Sequence, residues 1–300
     1  MGDIIEKVLP VILVFFIGYS LKRADILSKK DGDTLLKVFF YVSVPALIFL
    51  SVVQMKFSLQ LLWLPVIAVM VILTIYVVSH FCGRLLHLDQ PSFGVFLVGT
   101  LIMNTSFTYP FLMAAKGEES LAQASLFDFG NTALVFTFIY YLACKYGSNS
   151  SNFMVMIGKF MRSPPLLALL VALFLNLMHF TLPAIATRFF TIIGYMTMPL
   201  VMLSLGIYFS PKTARILPVL SAVGIRTGIG LLLGLLFVYL FDLNGVSRTV
   251  VLVCSSAPSG LNTLVFSSME KLDNEFAATV VSYSVIVGMI LIPLLLQVTQ

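Results

Sequence analysis

Charge is what this sequence has little of. Asp, Glu, Lys and Arg make up 10% of its 300 residues, against about 25% in an ordinary soluble domain. With 59% hydrophobic residues and a mean hydropathy of +1.04, a soluble globular protein is excluded. The basic residues behind the net charge of +5 are scattered between apolar runs. Nucleic acid, which selects clustered basic residues, is not an expected partner. Cysteine is scarce as well. Cys82, Cys144 and Cys254 each sit in or beside an apolar run, with no C-x-x-C spacing. That excludes a disulfide framework and a cysteine zinc site, leaving small buried hydrophobes. His80, His87 and His179 share no metal-ligand spacing. No metal or cofactor is expected.

Long polar segments are also missing. Ten apolar stretches cover most of the chain, at about 5–21, 35–53, 61–82, 92–115, 121–143, 164–180, 184–209, 216–241, 247–268 and 276–298. A membrane-crossing helix needs about 20 apolar residues. Ten of them leave only short loops, too little for a catalytic or nucleotide-binding domain. Backbone groups in lipid must be satisfied within their own segment, so the spans are expected to be helices. A β-barrel would need alternating strands of about ten residues. The first run follows Glu6 and Lys7 without a small-residue cleavage site, which reads as a retained helix. The expectation is an all-α polytopic membrane protein of ten transmembrane helices.

The loops give an orientation. Twelve Lys and Arg fall in the odd-numbered loops and five on the opposite side. Positive residues favour the cytosol. Both termini are therefore expected on the extracytoplasmic side of the plasma (inner) membrane. A cytosolic linker over 147–163 would join residues 1–146 to 164–300.

Five spans per half is an odd number, so related halves would be inverted repeats. Residues 95–100 read V-F-L-V-G-T and residues 250–255 read V-V-L-V-C-S, a shift of 155. S-V-P-A-L around Pro45 resembles T-M-P-L-V around Pro199 at nearly the same shift, and Leu121-Ala122 matches Phe276-Ala277 at 155. Spans four and nine each hold a small, polar, proline-bearing interruption. Span four carries Asn104, Thr105, Ser106 and Pro110, and span nine carries Ser256, Pro258, Ser259, Gly260 and Asn262. Asn104 lies about 18 Å and Pro258 about 16 Å into its span at helical rise. The 155 shift sets Met103 opposite Pro258 and Asn104 opposite Ser259. Broken helices in lipid are tolerated where the freed backbone groups line a cavity or bind something. The N-termini of the second half-helices suit an anion. These nine residues are the candidate substrate-binding set.

At these residues the chain resembles the auxin efflux carrier family, which includes the plant PIN-type carriers and many prokaryotic relatives. The resemblance rests on Asn104-Thr105 with Pro110, on Pro258-Ser259-Gly260, and on Asp128-Phe129-Gly130-Asn131, a stretch frequent in the prokaryotic branch. It implies a bile-acid-symporter-like elevator fold with helices four and nine broken and crossing. Spans one, two, six and seven would form a scaffold and homodimer surface. Spans three to five and eight to ten would move. Small organic anions, carboxylates above all, would be the substrate. Plant carriers have proline before the span-four Asn, where this chain has Met103, and their central loop is long. The resemblance thus points away from auxin itself.

Two charges sit inside spans. Arg226 lies about 15 Å deep in span eight, where a charge costs at least about 2.5–3.5 kcal/mol unless it faces protein or water. It is either a ligand for a carboxylate substrate, or settled by Asp128 or backbone carbonyls. Asp128 and Asn131 are candidates for sodium or proton coupling, with a capped structural carboxylate as the alternative. Gly224, Gly228, Gly230 and Gly234 form two small-xxx-small patterns for close helix packing. Glu270, Lys271, Asp273 and Glu275 read as a solvated loop. A membrane protease is opposed by the lack of a Gly-x-Ser-x-Gly nucleophile or paired intramembrane aspartates. A receptor is opposed by span count and short loops, and a channel by the lack of a filter.

Overall fold

The computed structural model describes residues 2–56, 58–147, 161–210 and 215–299. Most of the linker expected over 147–163 lies outside the described residues. The rest forms helical segments that follow the apolar stretches: α1 (Gly2–Arg23), α2 (Lys29–Val53), α3 (Leu59–Leu85), α5 (Glu118–Tyr146), α6 (Pro164–Leu177), α7 (Ala184–Tyr208), α8 (Ile216–Leu240) and α10 (Asn274–Val298). Between them lie two helices in pieces. The fourth divides into α4a (Gln90–Leu101) and α4b (Thr105–Lys116), the ninth into α9a (Gly245–Ser255) and α9b (Asn262–Met269). Among the described residues there is no β-strand, only one isolated antiparallel bridge.

Six of the helices (α2, α3, α5, α7, α8 and α10) are long and apolar enough to cross a membrane. Helix α3 shows why water is the wrong solvent. One face buries Leu64, Ile67, Ala68, Val71, Ile72 and Ile75, while the opposite face exposes Trp63, Val66, Leu73, Val77 and Phe81. A helix apolar on all sides belongs in lipid. The chain is a multi-pass membrane protein.

Helices begin before their apolar runs where a polar residue can cap them. α2 starts six residues earlier than its apolar stretch because the Ser28 backbone and hydroxyl both donate to Asp31, at 2.8 and 2.7 Å. α10 starts at Asn274 because Asp273 accepts from the Phe276 amide at 3.0 Å. Asp273 also accepts from Ser92 and Arg215. The reading of 270–275 as a solvated loop is corrected at Glu270. Its side chain is fully buried and accepts from the Tyr140 hydroxyl at 2.7 Å. α9b is only eight residues long, so its end stays against α5 and carries Glu270 inside.

Two packing groups result. α1 lies along the second half of α7, while α6 and the first half of α7 pack on the second half of α2. α3 packs on α4a and α5, α9a on α5 and α8, and α10 on α8, α4a and α9b. The groups touch where α2 meets α5 and where α1 meets α4b. Three helices carry a π-helical turn in mid-course, at Phe39–Ser43, Val135–Ile139 and Gly224–Ile229. Such turns often mark functional places, and the first two line the cavity described next. Of the two glycine patterns on α8, Gly230 and Gly234 face Ser255 of α9a closely, whereas Gly224 and Gly228 have open space beside them. Close packing therefore holds for one pattern only.

Candidate functional site

The two breaks meet. Met103 and Ser259 form the antiparallel bridge. The Asn104 amide donates to the Pro258 carbonyl at 2.8 Å, and the Gly260 amide to the Ile102 carbonyl at 3.0 Å. The bridge pairs residues 156 apart, one step from the 155 shift of the flanking sequence. Gly260 is required by this crossing. A Cβ there would stand 2.3 Å from Ile102 Cγ2, a separation no packed carbon tolerates.

The remaining freed groups find partners one by one. The Met103 amide donates to Asn131 Oδ1 at 3.3 Å, and Asn131 Nδ2 donates back to the Met103 carbonyl at 3.2 Å. One side-chain amide thus acts as a strand edge. This explains how Met103 stands where plant carriers have proline: the N–H that proline would lack has an acceptor. On the other side the Ser259 amide donates to Ser284 Oγ at 3.0 Å, and the Ser259 hydroxyl to the Gly99 carbonyl at 2.7 Å.

Asp128 accepts from Thr105 Oγ1 at 2.5 Å, Asn131 Nδ2 at 2.8 Å and Thr132 Oγ1 at 3.2 Å. All three donors are neutral. Asn104 caps α4b, its Oδ1 accepting from the Phe107 amide at 3.2 Å. Its Nδ2 is buried without a partner, although the residue is only 6% exposed. A buried donor left unmade costs about 1–3 kcal/mol, so an acceptor that reached this one would be stabilising.

A cavity of about 700 Å³ opens beside the crossover. That is within the usual range of ligand pockets. Asn104, Thr105, Ser106, Asp128, Asn131, Gly260 and Asn262 line it, seven of the candidate residues. Asn104 and Asn262 stand at the starts of α4b and α9b, so two positive helix ends reach the same space. The opposite wall comes from α2, α6 and α7 through Phe39, Phe40, Val44, Leu166, Leu169 and Val201. The cavity continues past Tyr41, Lys37 and Asp33 to Ser163 and Pro165, the end of the molecule where α2 and α6 begin.

Pro110, Ser256, Pro258, Ser259 and Arg226 do not line the cavity. Pro110 is buried in α4b and removes the amide that the Ser106 carbonyl would accept. The Ser256 hydroxyl turns back to the Leu252 carbonyl at 2.7 Å. Pro258 and Ser259 build the bridge. Arg226 is fully buried and makes no ion pair with Asp128; its guanidinium donates to the backbone carbonyls of Thr100 and Ser255. Its charge is settled by carbonyls, one of the two ways the sequence allowed. Sequence reasoning missed Thr132 and Ser284. Thr132 follows Asp128 by one helical turn and was legible on that ground. Ser284 has no local pattern to mark it. Among the described residues no group of His, Cys, Asp and Glu could hold a metal ion.

Among the described residues, ten helical segments, two of them broken and crossed beside a cavity, give the arrangement expected of a membrane transporter. Comparison with known proteins agrees. A family model described as membrane transport protein matches residues 3–153 and 147–296. The chain belongs to that family, the one its likeness to auxin efflux carriers had indicated. An uncharacterised transporter of Methanocaldococcus jannaschii is 27% identical over 285 residues, covering 91% of this chain and 92% of its own. Another from Methanothermobacter thermautotrophicus is 28% identical over 297 residues, covering 96% of each.

Proposed function

We propose that the protein is a secondary transporter of small organic anions, carboxylates above all, working by an elevator-type alternating-access mechanism. The observation that carries this reading is the unpartnered Asn104 Nδ2, buried in the cavity wall at the N-terminus of α4b. A carboxylate oxygen satisfies that donor, and the positive ends of α4b and α9b favour its charge. The cavity lies between the two packing groups, which suits a unit of α3–α5 and α8–α10 sliding against a scaffold of α1, α2, α6 and α7. It opens at the end where the odd-numbered loops lie. With those loops cytosolic and both termini outside the plasma membrane, this is the inward-facing state. Two inverted five-helix repeats are supported by matching breaks in the fourth helix of each half. The two stretches matched by the family model also meet at 147–153. A homodimer would use the exposed apolar face of α6 and α7, where Leu167, Phe174, Ile185, Phe189 and Ile192 stand out.

Asp128 is the coupling group this site supports. An anion and an ionised carboxylate repel across one cavity, so a proton carried on Asp128 would travel with the substrate. Sodium coupling is the second form of this reading, with the Asp128 carboxylate as the oxygen ligand and Asn131 as its neighbour.

The test is counterflow in proteoliposomes loaded with a short dicarboxylate. Saturable exchange that fails in Asn104→Ala supports the reading, and Asp128→Asn should abolish the response to an imposed proton gradient. Flux that rises linearly with concentration, as through a channel, would sink it. So would exchange that survives the loss of Asn104.

A further inference from the structure

Among the described residues Arg226 is the largest fully buried side chain, and the substrate cavity does not use it. Its Nη1 donates to the Thr100 carbonyl at 3.0 Å, and its Nη2 donates to the Ser255 carbonyl. Those two residues are 155 apart, so they hold equivalent places in the two halves. Each lies in the last turn of a half-helix, Thr100 in α4a and Ser255 in α9a. In unbroken helices their carbonyls would accept the amides of Asn104 and Ser259. Both amides are spent elsewhere, on the Pro258 carbonyl and on Ser284 Oγ. One guanidinium therefore replaces both lost donors.

The charge balances as well, with Nε of Arg226 left buried and without a partner. A helix C-terminus carries roughly half a negative charge. Two such ends brought together make about one, and Arg226 supplies one positive charge. The backbone is shaped for the meeting. Arg226 lies in the π-helical turn of α8 at Gly224–Ile229. One turn on, a Cβ at Gly230 would stand 2.1 Å from the Ser255 oxygen and 2.8 Å from Arg226 Nη2. Only glycine lets α9a come this close.

In carriers built from broken helices, half-helix C-terminal ends and unwound carbonyls commonly coordinate a coupling cation. Here a side chain occupies such a seat. We propose that Arg226 is a tethered cation that permanently fills the crossover's cation seat and fixes the two half-helices against each other. It is a positioning residue: it holds the bridge that aims Asn104 into the cavity, and it touches no substrate. The planar fork of arginine fits two carbonyls at once. Whether the crossover serves carboxylates or another solute does not affect this assignment.

The experiment compares Arg226→Lys, Arg226→Met and Arg226→Ala by melting temperature and by uptake of a short dicarboxylate in proteoliposomes, at constant ionic strength in choline, sodium or millimolar methylguanidinium chloride. Arg226→Lys keeps the charge but lacks the fork, so it is expected to retain part of the uptake. Arg226→Met keeps a long side chain without the charge or a donor and is expected to lose about tenfold or more, because two buried carbonyls lose a charged donor. Arg226→Ala empties the seat. Methylguanidinium, and more weakly sodium, should raise its melting temperature and restore uptake while choline does not. Wild-type melting should be the same in all three salts. A packing role alone would leave Met equal to or better than Lys and the Ala variant indifferent to the cation; either result overturns the proposal. If Arg226→Ala does not fold, the order of Lys and Met decides by itself. Melting temperature reads the seat whether or not the transported solute has been found.

Discussion

The broken fourth and ninth helices meet in one bridge but are finished by different means. In the fourth, the unwound Met103 is held on both sides by the Asn131 amide, which also donates to Asp128. In the ninth, Ser259 is held by the Ser284 hydroxyl and by its own bond to Gly99. The first break is polar and lines the cavity, through Met103, Asn104, Thr105 and Ser106. Of the second, only Gly260 onward reaches it. The backbones pair almost symmetrically, and the chemistry has gathered on one partner. A repeat fixes where chains cross, because the crossing depends on backbone. It leaves each side chain free to specialise.

Substitutions can break or sharpen that contrast. The largest effect is expected from Asn131→Ala. It strands both backbone groups of Met103 and removes one donor from Asp128, a loss of about 2–6 kcal/mol at 1–3 kcal/mol for each buried group. Ser284→Ala strands one amide and should cost about half as much. Melting temperatures of the two variants check the order, and a larger loss at Ser284 would reverse the comparison. Next comes Asn104→Ala. A lost hydrogen bond to a charged ligand is worth about 1.5–3 kcal/mol, so substrate affinity should fall about tenfold to a hundredfold, read by competition in uptake assays. A smaller effect is expected for Met103→Pro, which removes the N–H that Asn131 accepts. In that background Asn131→Ala should cost less by about 1 kcal/mol, a coupling that a double-mutant cycle measures. The smallest belongs to Ser256→Ala. Its hydroxyl bonds only within α9a, to Leu252 and Val253, so uptake should match the unaltered protein.

The sequence carries the fold unevenly. Long apolar runs located the helices of the described residues, because lipid imposes one rule on each segment. The interruptions at Asn104 and Pro258 located both breaks, because proline and small polar residues are costly there without cause. Which buried polar group meets which was not legible. Asp128 and Arg226 look like a pair in one dimension, yet each is settled by other groups: Asp128 by neutral donors, Arg226 by two carbonyls. Ser284 lies on α10, 25 residues from the amide it accepts, and no periodicity links them. The three π-helical turns leave no mark in composition. Glu270 sits in a charged run that reads as solvent-facing, and only the shortness of α9b takes it inside. Of the candidate residues, those that begin α4b and α9b reach the cavity. Those that finish α9a build the crossing instead.

The most direct test of the account compares the two breaks by their access to water. In a chain with Cys82, Cys144 and Cys254 replaced, Ser106→Cys and Ser256→Cys are treated with a membrane-impermeant maleimide, with and without a short dicarboxylate. The account predicts that Ser106→Cys is labelled and that the dicarboxylate protects it, while Ser256→Cys stays unreactive. Equal labelling at both positions, or labelling of Ser106→Cys that no carboxylate slows, would contradict it.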